Sequence, residues 1–354
     1  MIKAHNASAF SATVKAGFAA MLSLALAACG GGGGGAGGYP TAASSTTSTP
    51  SSTSTGSSTG TQQTAAAPGS EELAAFELLN NERLECGFGV LARNSALDAA
   101  ARGHANWQLL NNAVGHYQIE GTPGFTGINA LDRATAAGYA ASWVEDENSS
   151  LTGRDSAVGY GALSIRTLLS GPYHMRGLIG GYRDVGISVV SSKEVGQAMK
   201  SASRLVAQID LGYASGTIRQ EHPSGTVLTY PCEGSTGVFA QFANESPNPV
   251  PGRTSPMGQA IFVVGDYGKT LAVSSALLQE VITGNTVTLL PTMTASTDPN
   301  RYLWAHEAGI LPDQPLKTST AYKVTIVGTN DGVSYTKAFT FTTGAVANAA
   351  SAPN

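Results

Sequence analysis

Apolar and polar residues alternate with two different periods along this chain, and the change of period divides it. From Ser70 the apolar positions Leu73, Phe76 and Leu79 fall three apart, which predicts a helix. Ser70 is its N-cap, Glu71 and Glu72 lie where the helix dipole favours acids, and Gly87 closes it. Asn94 or Ser95 starts a second helix, whose Leu97, Ala100, Ala101, His104, Trp107 and Leu110 keep helical spacing. Further helices are expected over 128–141, closed by Gly138, and over 159–170. β-Branched clusters at 185–190 and 205–211 predict strands, so this half reads as α+β.

Beyond a Pro-rich polar stretch at 246–256 the pattern becomes short and β-rich. Strands are expected at 260–264, 270–273, 286–290, 302–305, 322–327 and 335–341. Tyr322, Val324 and Ile326 alternate with Lys323, Thr325 and Val327, and Asn330-Asp331-Gly332 supplies a hairpin turn. Six or seven short strands in about 100 residues fit an Ig-like sandwich. The ending resembles bacterial Ig-like surface modules, which implies a spacer or adhesive role.

The N-terminus reads as an address. Lys3 and Lys15 precede an apolar stretch from Ala16 to Ala28, too short to span a bilayer, which ends Leu26-Ala27-Ala28-Cys29-Gly30. Small residues before a Cys form the lipobox of bacterial lipoproteins, in which the thiol carries diacylglycerol. Cys29 is therefore the expected lipidation site and membrane anchor, in the outer membrane or at the cell surface. The other reading is a plain secretory signal with an incidental Cys. Residues 30–69 are rich in Gly, Ser, Thr and Ala, the composition of a disordered tether. Gly56-Ser57-Ser58-Thr59-Gly60 fits the G-x-S-x-G hydrolase pattern but lacks the strand–turn–helix setting that motif needs.

Composition narrows the classes. Charged residues are 12% of the 354 and the net charge is −4, with no basic stripe, which argues against nucleic acid as a partner. Of three cysteines, Cys29 is accounted for; Cys86 and Cys232 remain, either as a disulfide formed in an oxidising compartment or as two free thiols.

A run of short motifs then resembles the CAP superfamily (the SCP-like extracellular domain), its bacterial branch above all. They are Asn80-Asn81-Glu82-Arg83, Gly87 to Leu91, Ala101-Arg102-Gly103-His104, Gly115-His116, Asp132-Arg133-Ala134 with Ala137-Gly138-Tyr139, Glu147-Asn148, Ser170-Gly171-Pro172-Tyr173-His174, Val185-Gly186-Ile187 and Val206-Ala207-Gln208. The resemblance covers about 71–215. It implies an α-β-α sandwich with a cleft in which His116, Glu147 and His174 gather, a set able to hold Zn²⁺ or another divalent ion, with Asn148 and Tyr173 on the rim. Two imidazoles and a carboxylate are an N₂O donor set that suits zinc with one position open to water. Taken alone, the residues also allow His116 capping a loop, Glu147 in solvent and His174 bonding locally. The chain departs from the pattern in four ways: 165–173 holds no second acid, Asp146 replaces a glycine, Tyr173 replaces a small residue, and one residue is inserted in the Ser170-Gly171-Pro172-Tyr173-His174 motif. His104, on an apolar helix face, is expected to be a core histidine.

The expected organisation is a signal peptide (1–29), tether (30–69), CAP domain (70–244), Ig-like sandwich (245–346) and tail (347–354). The expected function is non-catalytic binding of a small apolar or peptide-like ligand by a monomer. A zinc-dependent hydrolase, with zinc-bound water as nucleophile, and a surface adhesion protein acting through the Ig-like module are the alternatives.

Overall fold

Among the described residues five α-helices pack on the faces and edges of a four-stranded sheet, and the chain then passes into two further four-stranded sheets and a two-stranded pair. The structure, a computed structural model, describes residues 70–195, 203–242 and 245–353. Cys29, the lipobox and the tether lie outside the described residues.

In chain order the first half runs α1 (Glu71–Cys86), β1 (Ala92–Arg93), α2 (Ser95–Leu110), α3 (Ala130–Ala136), β2 (Ala141–Thr152), α4 (Tyr160–Leu168), α5 (Pro172–Ile179), β3 (Asp184–Ser191) and β4 (Arg204–Ala214). Ser70 Oγ accepts from the Leu73 amide at 3.2 Å, and Asn94 Oδ1 accepts from Ala96 and Leu97 at 2.9 and 3.3 Å, so both expected N-caps operate. Strand order is β1-β3-β4-β2. β3 pairs antiparallel with β4 from Asp184↔Gly212 to Ser191↔Leu205, and both strands are almost wholly buried. β2 forms the edge, with Glu147 opposite Ile209 and Asn148 opposite Gln208. Helix α2 lies against β3 and β4 through its buried face of Leu97, Ala101, Ala105 and Leu109.

The second half contains β5 (Leu228–Tyr230), β6 (Thr236–Val238), β7 (Gln241–Phe242), β8 (Met257–Gly258), β9 (Ile261–Val264), β10 (Leu271–Glu280), β11 (Met293–Thr294), β12 (Glu307–Ile310), β13 (Ala321–Asn330) and β14 (Val333–Thr343). They form the sheets β10-β13-β14-β6 and β11-β12-β9-β5, with β7-β8 as a separate pair. In the β13–β14 hairpin Asn330 pairs with Val333, leaving Asp331 and Gly332 as a two-residue loop at φ 51° and 80°. Positive φ at both positions is the type I′ requirement that the Asn-Asp-Gly signal anticipates. Two expected strands are not formed: 286–290 makes only isolated bridges at Thr286 and Leu289, and 302–305 precedes the strand that does form at Glu307.

The chain is thus a mixture of helices and β-sheets, as its pattern predicts. β5 and β6, sequence neighbours of the first half, pair with β9 and β14 of the second. One hydrophobic core accordingly runs from Leu79 through Ile209 and Phe262 to Ile326 and Phe341. Cys86 and Cys232 form a disulfide joining the end of α1 to the segment between β5 and β6. Among the described residues no helix is long and apolar enough to cross a membrane.

Candidate functional site

The loop after α2 carries His116, the edge strand β2 carries Asp146 and Glu147, and α5 carries His174. These four side chains, distant in sequence, line one cleft of about 410 Å³. Tyr117, Trp143, Tyr173 and Tyr302 supply aromatic surface around them.

Successive strand residues point to opposite faces, so Asp146 and Glu147 reach different partners. Asp146, buried, lies 3.3 Å from His116 Nδ1 and 3.2 Å from the fully buried Arg133, and accepts from Gln208 Nε2 at 2.7 Å. Arg133 also donates to the His116 carbonyl at 2.9 Å, fixing the loop at that point. Burial alone would lift the Asp146 carboxyl; the hydrogen bond and charge of His116, with Arg133, hold it below the usual range. Burial likewise works against a charged His116, but Asp146 and Glu147 outweigh it and hold the imidazole up at about 9.

Glu147 pairs with His174 Nδ1 beneath α5. Its approach depends on Gly177: a Cβ there would sit 1.9 Å from Glu147 Oε1. Burial raises the Glu147 carboxyl well above the usual range and pushes the His174 imidazole down. Both directions disfavour a charged carboxylate–imidazolium pair at this contact. His174 Nε2 lies 3.9 Å from Glu245. The Glu245 carboxylate accepts from the amides of Tyr173 at 2.9 Å and His174 at 3.1 Å, capping α5, whose own N-cap, Gly171, has no side chain to do so. Burial, opposed by His174, brings Glu245 up to about 7.

Tyr173 walls the cleft rather than filling it. Its hydroxyl donates to Asp298, and its ring meets Tyr302 edge-on at 5.0 Å. Asn148 Nδ2 donates to the Gly115 carbonyl at 3.3 Å, bracing the loop that carries His116. His104 is a core residue as expected, with both ring nitrogens engaged: Nε2 donates to Gly115 O at 2.9 Å and Nδ1 accepts from Gln118 at 3.2 Å. Burial, with Arg133 nearby, pushes its pKa down to about 4.

The expected zinc ligands do not surround a common point. Zinc holds imidazole nitrogens at about 2.0–2.1 Å, so two rings sharing it at a tetrahedral angle have centroids about 5.2 Å apart. The His116 and His174 centroids are 6.4 Å apart, and each ring faces its own carboxylate. Among the described residues no group of three His, Cys, Asp or Glu side chains has metal-holding geometry. In this arrangement the residues do not fit the ion.

His116, Glu147, His174 and Tyr173 are thus brought together, with Asn148 behind them. Sequence reading missed Glu245 as the second acid, because it lies 71 residues beyond His174, at the edge of the stretch that reads as linker and outside the span of the motifs. Arg133 was visible only as part of a motif. The half-buried His116 and the buried His104 predict opposite pH behaviour. His116, raised above an ordinary 6.5, adds stability that is whole below pH 6.5 and is lost as pH climbs through 9. His104, lowered, adds stability above 6.5 that is lost as pH falls towards 4. Ring-proton NMR is expected to find His104 neutral and His116 charged at pH 7, with Asp146→Asn bringing the His116 titration down by more than one unit. An unmoved His116 would disprove the pairing.

No family model and no curated protein matches the chain. Among solved structures it is similar to an outer surface protein from Borrelia burgdorferi, at 13% identity and a TM-score of 0.31, over 41% of this chain and 93% of that one.

Proposed function

We propose that this chain is an exported, lipid-anchored CAP-type protein that binds a small ligand in the His116/His174 cleft and catalyses no reaction on it. The observation carrying this reading is the convergence of His116, Glu147 and His174 on one cleft with an aromatic wall. A concave site with an apolar lining and a few converging polar groups suits a ligand with an apolar or peptide-like body and a polar head. Trp143 and Tyr302, each about half exposed, offer ring faces to the body. The Glu147–His174 pair combines carboxyl oxygens with an imidazole and can offer hydrogen-bond partners to the head. Helices on a sheet ordered β1-β3-β4-β2 support the CAP assignment, and the paired C-terminal sheets support an Ig-like spacer. The lipobox at Cys29 supports an anchor, and the Cys86–Cys232 disulfide supports an oxidising compartment.

Nile red, an apolar dye, tests the cleft. The full chain is expected to enhance its fluorescence saturably, Trp143→Ser and Tyr302→Ser to weaken binding at least tenfold, and Cys29→Ser to move the protein from membranes to the soluble fraction without changing dye affinity. Equal dye binding by all variants, or none by the parent chain, would remove the proposal.

A further inference from the structure

Beside the cleft, a second lined surface crosses from the first half of the chain to the second. One hollow of about 200 Å³ is bounded by Trp143, Tyr213, Arg219, Tyr267 and Trp304. It continues into another of about 160 Å³ that shares Arg176, Arg219, Tyr267 and Glu307 and ends at His222 and Asp266. Three large rings are open to solvent here: Trp143 is 48% exposed, Tyr267 47% and Trp304 39%. Rings of this size exposed together along a groove mark a binding surface.

The charges beside these rings are unequal in one respect. Arg176 lies 4.5 Å from the Trp304 ring centre and is neutralised by Glu145 at 3.2 Å and Glu307 at 3.1 Å. Arg219 lies 3.6 Å over Tyr267 and 5.7 Å from Trp304. Among the described residues it has no ion pair, and its Nε is buried without a hydrogen-bond partner. Two neighbouring acids are committed elsewhere: Asp266 accepts from Ser224 Oγ and the Gly225 amide, and Glu307 accepts from Arg176 and the Trp304 amide. A third, the exposed Glu221, lines the second hollow but not the one between Trp143 and Trp304. Nε is too deep to meet an incoming group, but the Nη groups have neither hydrogen bond nor ion pair among the described residues and are not buried, and a guanidinium edge held flat on a ring is complementary to an incoming carboxylate.

We infer that this groove binds an acidic oligosaccharide, its sugar faces lying on Trp304, Tyr267 and Trp143 and a uronate carboxylate meeting Arg219. The C–H face of a pyranose is apolar and flat enough to stack on an aromatic ring, while its equatorial hydroxyls project sideways. Arg176, Arg219 and Glu307 line the same hollow as the rings and offer such hydroxyls hydrogen-bond partners. A polyproline peptide also uses aromatic grooves, but it offers no anion and few donors to so polar a border. The surface is separate from the His116/His174 pair, although Trp143 and Arg176 border both.

Calorimetry of the full chain with hyaluronan hexasaccharide tests this, with neutral chitohexaose and a proline-rich decapeptide as comparators. Hyaluronan is expected to bind at least tenfold more tightly than either. Trp304→Ala is expected to weaken both sugars tenfold or more; Arg219→Gln is expected to weaken hyaluronan alone, making the two sugars equal. Arg219→Gln is also expected to keep its Nile red binding, which certifies its fold and separates this proposal from the cleft reading. Tyr267→Ala, expected to behave as Trp304→Ala, covers the case in which the latter fails to fold. Absence of hyaluronan binding, equal affinity of the parent chain for the two sugars, preference for the peptide, or indifference to Arg219→Gln would each overturn the inference.

Discussion

Replacing Cys86 and Cys232 together by serine is expected to lower the free energy of unfolding by about 4–5 kcal/mol, the figure that loop-closure entropy gives for so long a loop. The bridge spans a sequence separation of 146 residues, so it removes a large share of the unfolded chain's freedom. It also ties α1 to the strands β5 and β6 that enter the C-terminal sheets, so its loss loosens the join between halves as well as the first helix. A thermal midpoint about 10 °C lower is the matching change for a chain of this size. Calorimetric scans of the parent, the double variant and the reduced parent measure it. A fall of less than about 1 kcal/mol in both the variant and the reduced protein would show that the bridge is ornamental.

The second large effect is expected at Arg83. Its guanidinium is wholly buried and has carbonyls as its hydrogen-bond partners: Gly89 O at 2.8 Å, Leu178 O at 2.7 Å, Gly180 O at 2.9 Å and Phe88 O at 3.1 Å. These bonds fasten the end of α1 to the turn after α5, the helix that holds His174. Arg83→Met keeps much of the apolar stem but removes every donor. Each charged hydrogen bond is worth about 1.5–3 kcal/mol, and the orphaned carbonyls share what water can reach them, so a loss of about 3–5 kcal/mol is expected. Urea unfolding should show a lower midpoint with an unchanged slope. A shift under about 1 kcal/mol would mean that the carbonyls find other donors.

Arg83 also shows why parts of this fold are legible in one sequence. Asn80, three residues earlier, reads the backbone of Leu91 from both sides, donating to its carbonyl at 2.9 Å and accepting from its amide at 2.8 Å. The Asn-x-x-Arg spacing is therefore a local device for folding the chain back after α1, and its residues cannot be exchanged without orphaning backbone groups. Gly186 is similar: a Cβ there would meet the Leu97 carbonyl carbon at 2.0 Å, so α2 can lie on β3 only if that position is bare. Caps, hairpin loop and the inner strands β3 and β4 all follow from such short-range or strongly patterned signals.

The edge strand β2 does not. Glu145-Asp146-Glu147-Asn148 has little β propensity, and the strand exists because β4 beside it offers an antiparallel partner over its whole length. The helix α5 is short and opens with Gly171-Pro172, so its N-terminal amides depend on Glu245 rather than on a neighbour in sequence. The cleft is therefore visible from sequence in its histidines and Glu147, which sit in recognisable motifs. Its second acid and its Asp146–Arg133 support are set by tertiary contact alone. The lost strands at 286–290 and 302–305 have the same origin: apolar composition suggested pairing, but the ladder places were taken by β11 and β12.

The crossing of β5 and β6 into the C-terminal sheets bears on how such a protein can be inherited. A boundary drawn after residue 242 would leave two strands of the rear sheets with the front half and carry Glu245 away from the helix it caps. Recombination at that seam would deliver two damaged parts instead of two portable ones. The halves are thus expected to travel through evolution as one hereditary unit, and surviving chimeras to be joined upstream of α1 or within loops that cross neither sheet.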